Sequence, residues 1–325
     1  DLLTHVLFNY ARYIDKMVNP THLSVLYPRI TGPLSINETM ISLVVLVLIS
    51  SLVVRGWKDK PYLPIGWLWF LLTLLPVAGI VTVGHFDIAD RFAYIPLIGL
   101  FIALSWGLGD LVRGSKSLFY ATIAIGLAVC LLLGFLTRIQ AGHWKNGYPL
   151  FSQAVENTRG NYLMHESLAH ELITMGRFEE AISHLAESIR IMPAYPNTRI
   201  NLGLTLYQTG RHAEGIQVLA ETAKLFPQSA EIQCDLGVML AGEGKKEEAI
   251  RHLTEAVRLD PRQAKAHYHL GLLYFESRQL EKAAIHLQTA TDLEPQSVQT
   301  RKIYAEVLRW QGKIRESLAQ LHQAE

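Results

Sequence analysis

Residues 230–263 read AEIQCDLGVMLAGEGKKEEAIRHLTEAVRLDPRQ, and residues 264–297 read AKAHYHLGLLYFESRQLEKAAIHLQTATDLEPQS. Aligned without a gap, they put Leu236-Gly237 over Leu270-Gly271, Ala249 over Ala283 and Pro261 over Pro295. The same positions recur upstream as Leu202-Gly203, Gly215 and Pro227, and before that as Leu168-Ala169, Ala181 and Pro193. The four prolines are spaced 34 residues apart. Small residues at the eighth and twentieth places let two helices cross in contact. Gly176, Gly210, Gly244 and Gly312 mark a turn between them, where a left-handed backbone is inexpensive for glycine. Each proline ends the second helix. The pattern is that of stacked helix pairs.

This period and these positions resemble tetratricopeptide (TPR) repeats. Repeats are expected to start near residues 162, 196, 230, 264 and 298 within a solenoid over 144–325, and Leu150, Phe151 and Ala154 match the second helix of a further unit. A right-handed α-solenoid buries one continuous core and leaves a concave face lined by the first helix of each pair. The sixth place of each repeat gives Ser167, Asn201, Asp235 and His269, then Ile303. Polar side chains in register suit the backbone of an extended polypeptide. Around them stand Tyr207, Tyr268, Phe275, Arg309 and Trp310, residue types enriched at binding hot spots. The plainer reading is a solvated helix face. His184, His252 and His286 share the twenty-third place on the outer helices. One repeat spacing, about 10 Å, is too far for a common metal, and a repeat-derived surface is expected there.

The first half is written for another solvent. Between Ile36 and Thr137, charges are confined to Glu38 and to clusters at 55–60, 87–91 and 110–116. A bilayer span needs roughly 20 residues, so 37–143 is expected to hold four transmembrane helices, at about 39–54, 62–84, 92–109 and 117–137. Pro76 and Gly79 mark a kink in the second. In 1–36, Leu3, Val6, Leu7, Tyr10, Ile14 and Met17 recur at helical spacing opposite His5, Asn9, Arg12 and Lys16, as in an amphipathic helix lying along the membrane surface. Arg55, Lys58 and Lys60 in one loop share a side with Arg113 and Lys116 in another, and the positive-inside rule makes that side cytoplasmic. The repeats then lie outside the cytoplasm. The expected fold is all-α, polytopic transmembrane helices followed by the solenoid.

The net charge of +1 averages over both halves, and no basic stripe interleaved with aromatics points to nucleic acid. Cys130 and Cys234 fall in separate segments without a Cys/His cluster, and His267 and His269 point to different sides of a helix, so no disulfide, metal or cofactor is implied. The chain opens at Asp1 rather than Met and reads as part of a longer protein.

The stretch Asp90-Arg91-Phe92-Ala93-Tyr94-Ile95-Pro96-Leu97-Ile98-Gly99 resembles the (D/E)R-Y-x-Y-x-P-x-x-G segment of the transmembrane and TPR-repeat-containing proteins, with Phe92 in place of the usual Tyr. Asn9 to Tyr13, Pro20, His22 to Val25 and Tyr27-Pro28 resemble the segment that precedes it, and Trp144, Leu150-Phe151 and Ala154 the lead-in to the repeats. The resemblance covers essentially the whole chain. It implies a glycosyltransferase of GT-C architecture, similar to protein O-mannosyltransferases. Such an enzyme moves a sugar, commonly mannose, from a polyprenyl-phosphate donor to a Ser or Thr hydroxyl outside the cytoplasm. The family's catalytic acid lies in a first outer loop, expected upstream of Asp1.

For this chain the outer loop with His85, Asp87, Asp90 and Arg91 remains. Arg91 is the expected contact for the donor phosphate, since guanidinium offers a bidentate fork that an ammonium does not. Tyr94 would orient the headgroup. The plainer reading has Asp90 capping the third span and Arg91 holding it at the interface. A membrane-tethered, non-catalytic scaffold for envelope complexes fits the same organisation, because the repeats would serve either role.

Overall fold

The computed structural model describes residues 2–20, 23–28, 34–79 and 86–322, with the backbone alone at Phe86 and Asp87. The chain divides into two units, Asp1–Met175 and Gly176–Glu325. The first runs α1 (Leu2–Val18), β1 (Tyr27–Pro28), α2 (Ile36–Arg55), α3 (Tyr62–Leu74), β2 (Phe86–Ile88), α4 (Tyr94–Leu111), α5 (Lys116–His143), α6 (Gly147–Asn157) and α7 (Tyr162–Thr174). The strands pair antiparallel, Tyr27 opposite Ile88.

Three helical stretches, Ile36–Arg55, Asp90–Leu111 and Lys116–His143, are long and apolar enough to cross a membrane. Their starts are chemically marked. Ser35 and Glu38 form a capping box, with Ser35 Oγ accepting from the Glu38 N–H and the Glu38 carboxylate accepting from the Ser35 N–H. Ser115 caps α5 through the Leu118 N–H. α5 has no buried residue and is apolar all round, the surface of a helix built to face lipid.

The expected second span ends early. Pro76 cannot extend the hydrogen-bond ladder, so Leu75–Val77 tighten into a 3-10 turn and Gly79, at φ 100°, turns the chain. The 13 residues of α3 reach about 20 Å at the helical rise, short of a hydrocarbon core of about 30 Å. Residues 80–84 of that expected span lie outside the described ones.

The apolar face of α1 packs inward: Val6 and Tyr10, with Leu7, Ile14 and Met17 beside them, and also Tyr13, join a core with Leu46, Val53, Phe70, Leu74 and Leu100. Asn9, expected on the polar face, is only 2% exposed. Its amide donates to the Ala78 carbonyl just past the Pro76 break (3.0 Å), and the Tyr10 and Tyr13 hydroxyls donate to the Leu71 and Ala89 carbonyls. Past the Pro76 break the Ala78 carbonyl lies outside the α3 ladder, and α1 supplies a donor to it through Asn9.

Gly66 on α3 and Gly99 on α4 bring two backbones into contact, since a Cβ on either would collide with the other's carbonyl oxygen. The glycine that closes the Asp90–Gly99 motif therefore sets a helix crossing.

The second unit contains α8 (Phe178–Ile191), α9 (Pro196–Gln208), α10 (His212–Leu225), α11 (Ala230–Gly242), α12 (Lys246–Leu259), α13 (Ala264–Glu276), α14 (Leu280–Leu293), α15 (Val298–Trp310) and α16 (Ile314–His322). Its packing repeats with the sequence. Leu253 seats on Gly237 and Leu287 on Gly271, where an added Cβ would stand 2.7 and 2.5 Å from the leucine Cγ. Both leucines are fully buried. The turn between α13 and α14 lacks the usual glycine, and Arg278 takes the left-handed conformation at φ 59° with its guanidinium over the Trp310 ring.

Of the three histidines at the twenty-third place, His252 and His286 are half-buried clamps rather than plain surface. His252 Nδ1 lies 2.7 Å from Gln233 Oε1, and His286 Nδ1 lies 3.1 Å from His267 Nδ1. Each pair joins the two helices of one repeat, and Arg301 with Gln320 does the same for α15 and α16.

Candidate functional site

Asp90, expected as a loop acid or a cap, is held by the N-terminal segment. Its Oδ2 accepts from the Ser24 N–H (2.9 Å) and the Tyr27 O–H (3.1 Å). It makes no side-chain cap to the helix it opens. Burial, and then Asp90 itself, push the Tyr27 hydroxyl well above the ordinary phenol value, so it remains a donor. Tyr13, whose hydroxyl burial pushes to about 12, fixes the Ala89 carbonyl next door. A two-strand pairing and three hydrogen bonds thus immobilise the backbone that presents Arg91.

Arg91 is exposed, its guanidinium 5.2 Å from the Phe92 ring centre, and Tyr94 is 75% exposed one helical turn on. His85 and the Asp87 side chain lie outside the described residues. The pattern that marked Arg12 and Lys16 as a polar helix face missed their position. Both stand over the Tyr27 ring, at 4.9 and 5.1 Å from its centre.

In the second unit, Asp235 is buried and its Oδ1 accepts from Lys265 Nζ at 2.6 Å. Lys265, at the second place of the next repeat, carried no signal in the sequence reading. His269 lies beside this pair, and burial first, then Lys265, hold its pKa down at about 4, so it is neutral at physiological pH. Asn201 is half-buried. Tyr207 stacks on His212 at 4.3 Å and donates to Glu243, while Phe275 packs into the core of α13 to α15. Tyr268 remains accessible. It lines a hollow of about 210 Å³ together with Lys265, Glu294, Ser297, Gln299 and Thr300. Ser167 lies half-buried on α7, in the first unit. Among the described residues no cluster of three or more His, Cys, Asp or Glu could hold a metal ion.

This geometry defines a membrane protein with a tetratricopeptide solenoid. Models of the tetratricopeptide repeat match residues 172–234 and 264–297, and a TPR repeat model matches 239–277. The chain is related to the O-mannosyl-transferases. It is 28% identical over 138 residues to Protein O-mannosyl-transferase Tmtc3 of Drosophila melanogaster, covering 42% of this chain and 15% of that protein. It is 28% identical over 168 residues to Protein O-mannosyl-transferase TMTC1 of Mus musculus, covering 51% of this chain and 18% of that protein. The chain thus spans less than a fifth of the length of these relatives. Among solved structures, the crystal structure of MamA is 24% identical, with a TM-score of 0.44 over 48% of this chain and 92% of that one.

Proposed function

We propose that this chain is the membrane and acceptor-holding part of a glycosyltransferase that moves a sugar from a polyprenyl-phosphate donor to Ser or Thr of a polypeptide held by the repeats. The relationship to O-mannosyl-transferases carries the reading, joined to the order of apolar helices followed by repeats in one chain. Arg91 and Tyr94, on a backbone fixed through Asp90, meet the donor headgroup. Around Lys265 and Tyr268, the hollow with its mixed donors and acceptors favours an extended peptide, with Asn201 on α9 and His269 on α13 at the sixth place of their own repeats. The repeats lie outside the cytoplasm, on the side opposite the basic loops at Lys58 and Lys116.

The test is transfer of labelled sugar from a polyprenyl-phosphate sugar to a Ser/Thr peptide by the full-length protein, with the segment upstream of Asp1, in proteoliposomes. Arg91→Ala is expected to lower donor-dependent transfer roughly tenfold or more, the loss of a charge-assisted hydrogen bond of about 1.5 to 3 kcal/mol. Peptide capture without any transfer would leave the scaffold reading instead.

A further inference from the structure

The fourth and twenty-third places of a repeat face each other across its two helices. In the third repeat they hold Gln233 and His252, with Oε1 and Nδ1 2.7 Å apart, and in the fourth they hold His267 and His286, with the two Nδ1 atoms 3.1 Å apart. Two imidazole nitrogens therefore meet where the neighbouring repeat places a nitrogen and an amide oxygen. The other contacts fix the tautomers. His267 Nε2 lies 3.2 Å from the Pro261 carbonyl, which can only accept, so Nε2 carries the proton and Nδ1 offers a lone pair. The hydrogen that joins the rings then belongs to His286 Nδ1. Burial is the largest influence on both rings and lowers the pKa of each, so both are neutral at pH 7.

A neutral imidazole whose outer N–H donates to a backbone carbonyl is the form in which histidine holds a metal, because that bond fixes the tautomer and the ring plane. His286 is steadied by the Tyr274 ring, 5.6 Å away between centres and 20° from parallel. The separation also selects the ion. Two metal-nitrogen bonds of about 2.0 to 2.1 Å that close a gap of 3.1 Å meet at close to a right angle. That suits adjacent positions of a tetragonal ion better than the wider tetrahedral angle of zinc. Copper(II) also heads the affinity order among divalent metals at nitrogen sites.

We propose that His267 and His286 form a two-histidine copper(II) site that staples α13 to α14. The ion takes the place of the shared hydrogen. His286 gives its Nδ1 proton to solvent and takes one from solvent at Nε2, and both Nδ1 lone pairs turn to the copper. No net proton is released and no electron moves. Among the described residues no third His, Cys, Asp or Glu joins the pair, so water fills the remaining positions. The site stands apart from the transferase reading and holds whether or not the protein transfers sugar.

The experiment uses the whole chain in detergent micelles, titrated with Cu²⁺, Ni²⁺ or Zn²⁺ alone. Affinity is followed by calorimetry, unfolding temperature checks each variant, and electron paramagnetic resonance counts the nitrogens on copper. His267→Gln recreates the amide and imidazole pair of the third repeat, so it should fold. His286→Gln removes the other ligand, Gln233→His offers a second imidazole to His252, and exposed His322→Gln is the control. Wild type should hold one tight copper with a two-nitrogen pattern, roughly tenfold or more tighter than zinc, and copper should raise the unfolding temperature. His267→Gln and His286→Gln should each lose copper affinity about a hundredfold, since the second nitrogen no longer binds within the same site. Both should also lose the two-nitrogen pattern, and His322→Gln should match wild type. Gln233→His should add a second site with the same spectrum. Wild-type copper affinity in either folded Gln variant overturns the assignment, as does zinc binding at the pair more tightly than copper. A folded Gln233→His that gains no copper would contradict the argument that repeat geometry sets the spacing.

Discussion

The two units solve helix packing in opposite ways. In the second, a leucine from one helix seats on a glycine of its neighbour and the contact recurs from repeat to repeat, as Leu253 on Gly237 and Leu287 on Gly271. In the first, the α3–α4 contact is backbone on backbone at Gly66 and Gly99, supplemented by α1 side chains that bond backbone carbonyls, Asn9 to Ala78 and Tyr10 to Leu71. The solvent explains the difference. Water drives leucine into a core, whereas lipid gives helices no such drive and leaves close approach and hydrogen bonds to hold them.

The sharpest way to break this comparison is to remove one side of each contact. Leu253→Ala should lower the stability of the second unit by about 4 kcal/mol, since the side chain is fully buried and stacked repeats relax poorly around a cavity. Gly99→Val should cost the first unit about 3 kcal/mol through overpacking, with α3 losing protection from hydrogen exchange. The reverse pattern, tolerance at Gly99 and collapse of α1 to α4 in Leu253→Ala, would show that the units do not follow separate rules.

Much of this was legible beforehand, for a physical reason. A 34-residue period repeats its constraints, so Gly237 and Gly271, or Pro261 and Pro295, each confirm the other. The first unit states each constraint once. Asn9 looked polar and therefore exposed, because its partner, the Ala78 carbonyl, becomes an acceptor only where Pro76 breaks α3. Likewise Asp90 read as a cap, although its partners Ser24 and Tyr27 are more than 60 residues away. In the repeats, Asp235 read as an open groove acceptor, but Lys265 arrives from the next repeat and takes it.

Tyr27→Phe sharpens the comparison on the membrane side. It removes one of two donors to Asp90 and should cost roughly 1 to 3 kcal/mol, seen as a lower unfolding temperature in detergent. Acid distinguishes the units next. His269 is neutral in the fold with a pKa of about 4, against an ordinary histidine value of 6.5. Its contribution is therefore full above about pH 6.5 and is lost as pH falls toward 4. His184, His252, His267 and His286 are shifted in the same direction, burial being the largest cause for each. The second unit should lose stability across that window, and His269→Gln should flatten part of the loss in a pH series of thermal melts. At the small end, Arg258→Ala removes a solvent-accessible ion pair with Glu255 and should leave the unfolding midpoint nearly unchanged.

A division of labour between the units is tested most directly by measuring donor affinity and acceptor KM together, for the full-length protein in proteoliposomes supplied with a polyprenyl-phosphate sugar and a Ser/Thr peptide. Arg91→Ala should weaken donor binding about tenfold while acceptor KM stays as in wild type. Tyr268→Ala, at the accessible hollow of the repeats, should raise acceptor KM while donor affinity is unchanged. If either substitution moves both quantities equally in a folded protein, or if neither moves anything, donor and acceptor are not held by separate halves of this chain.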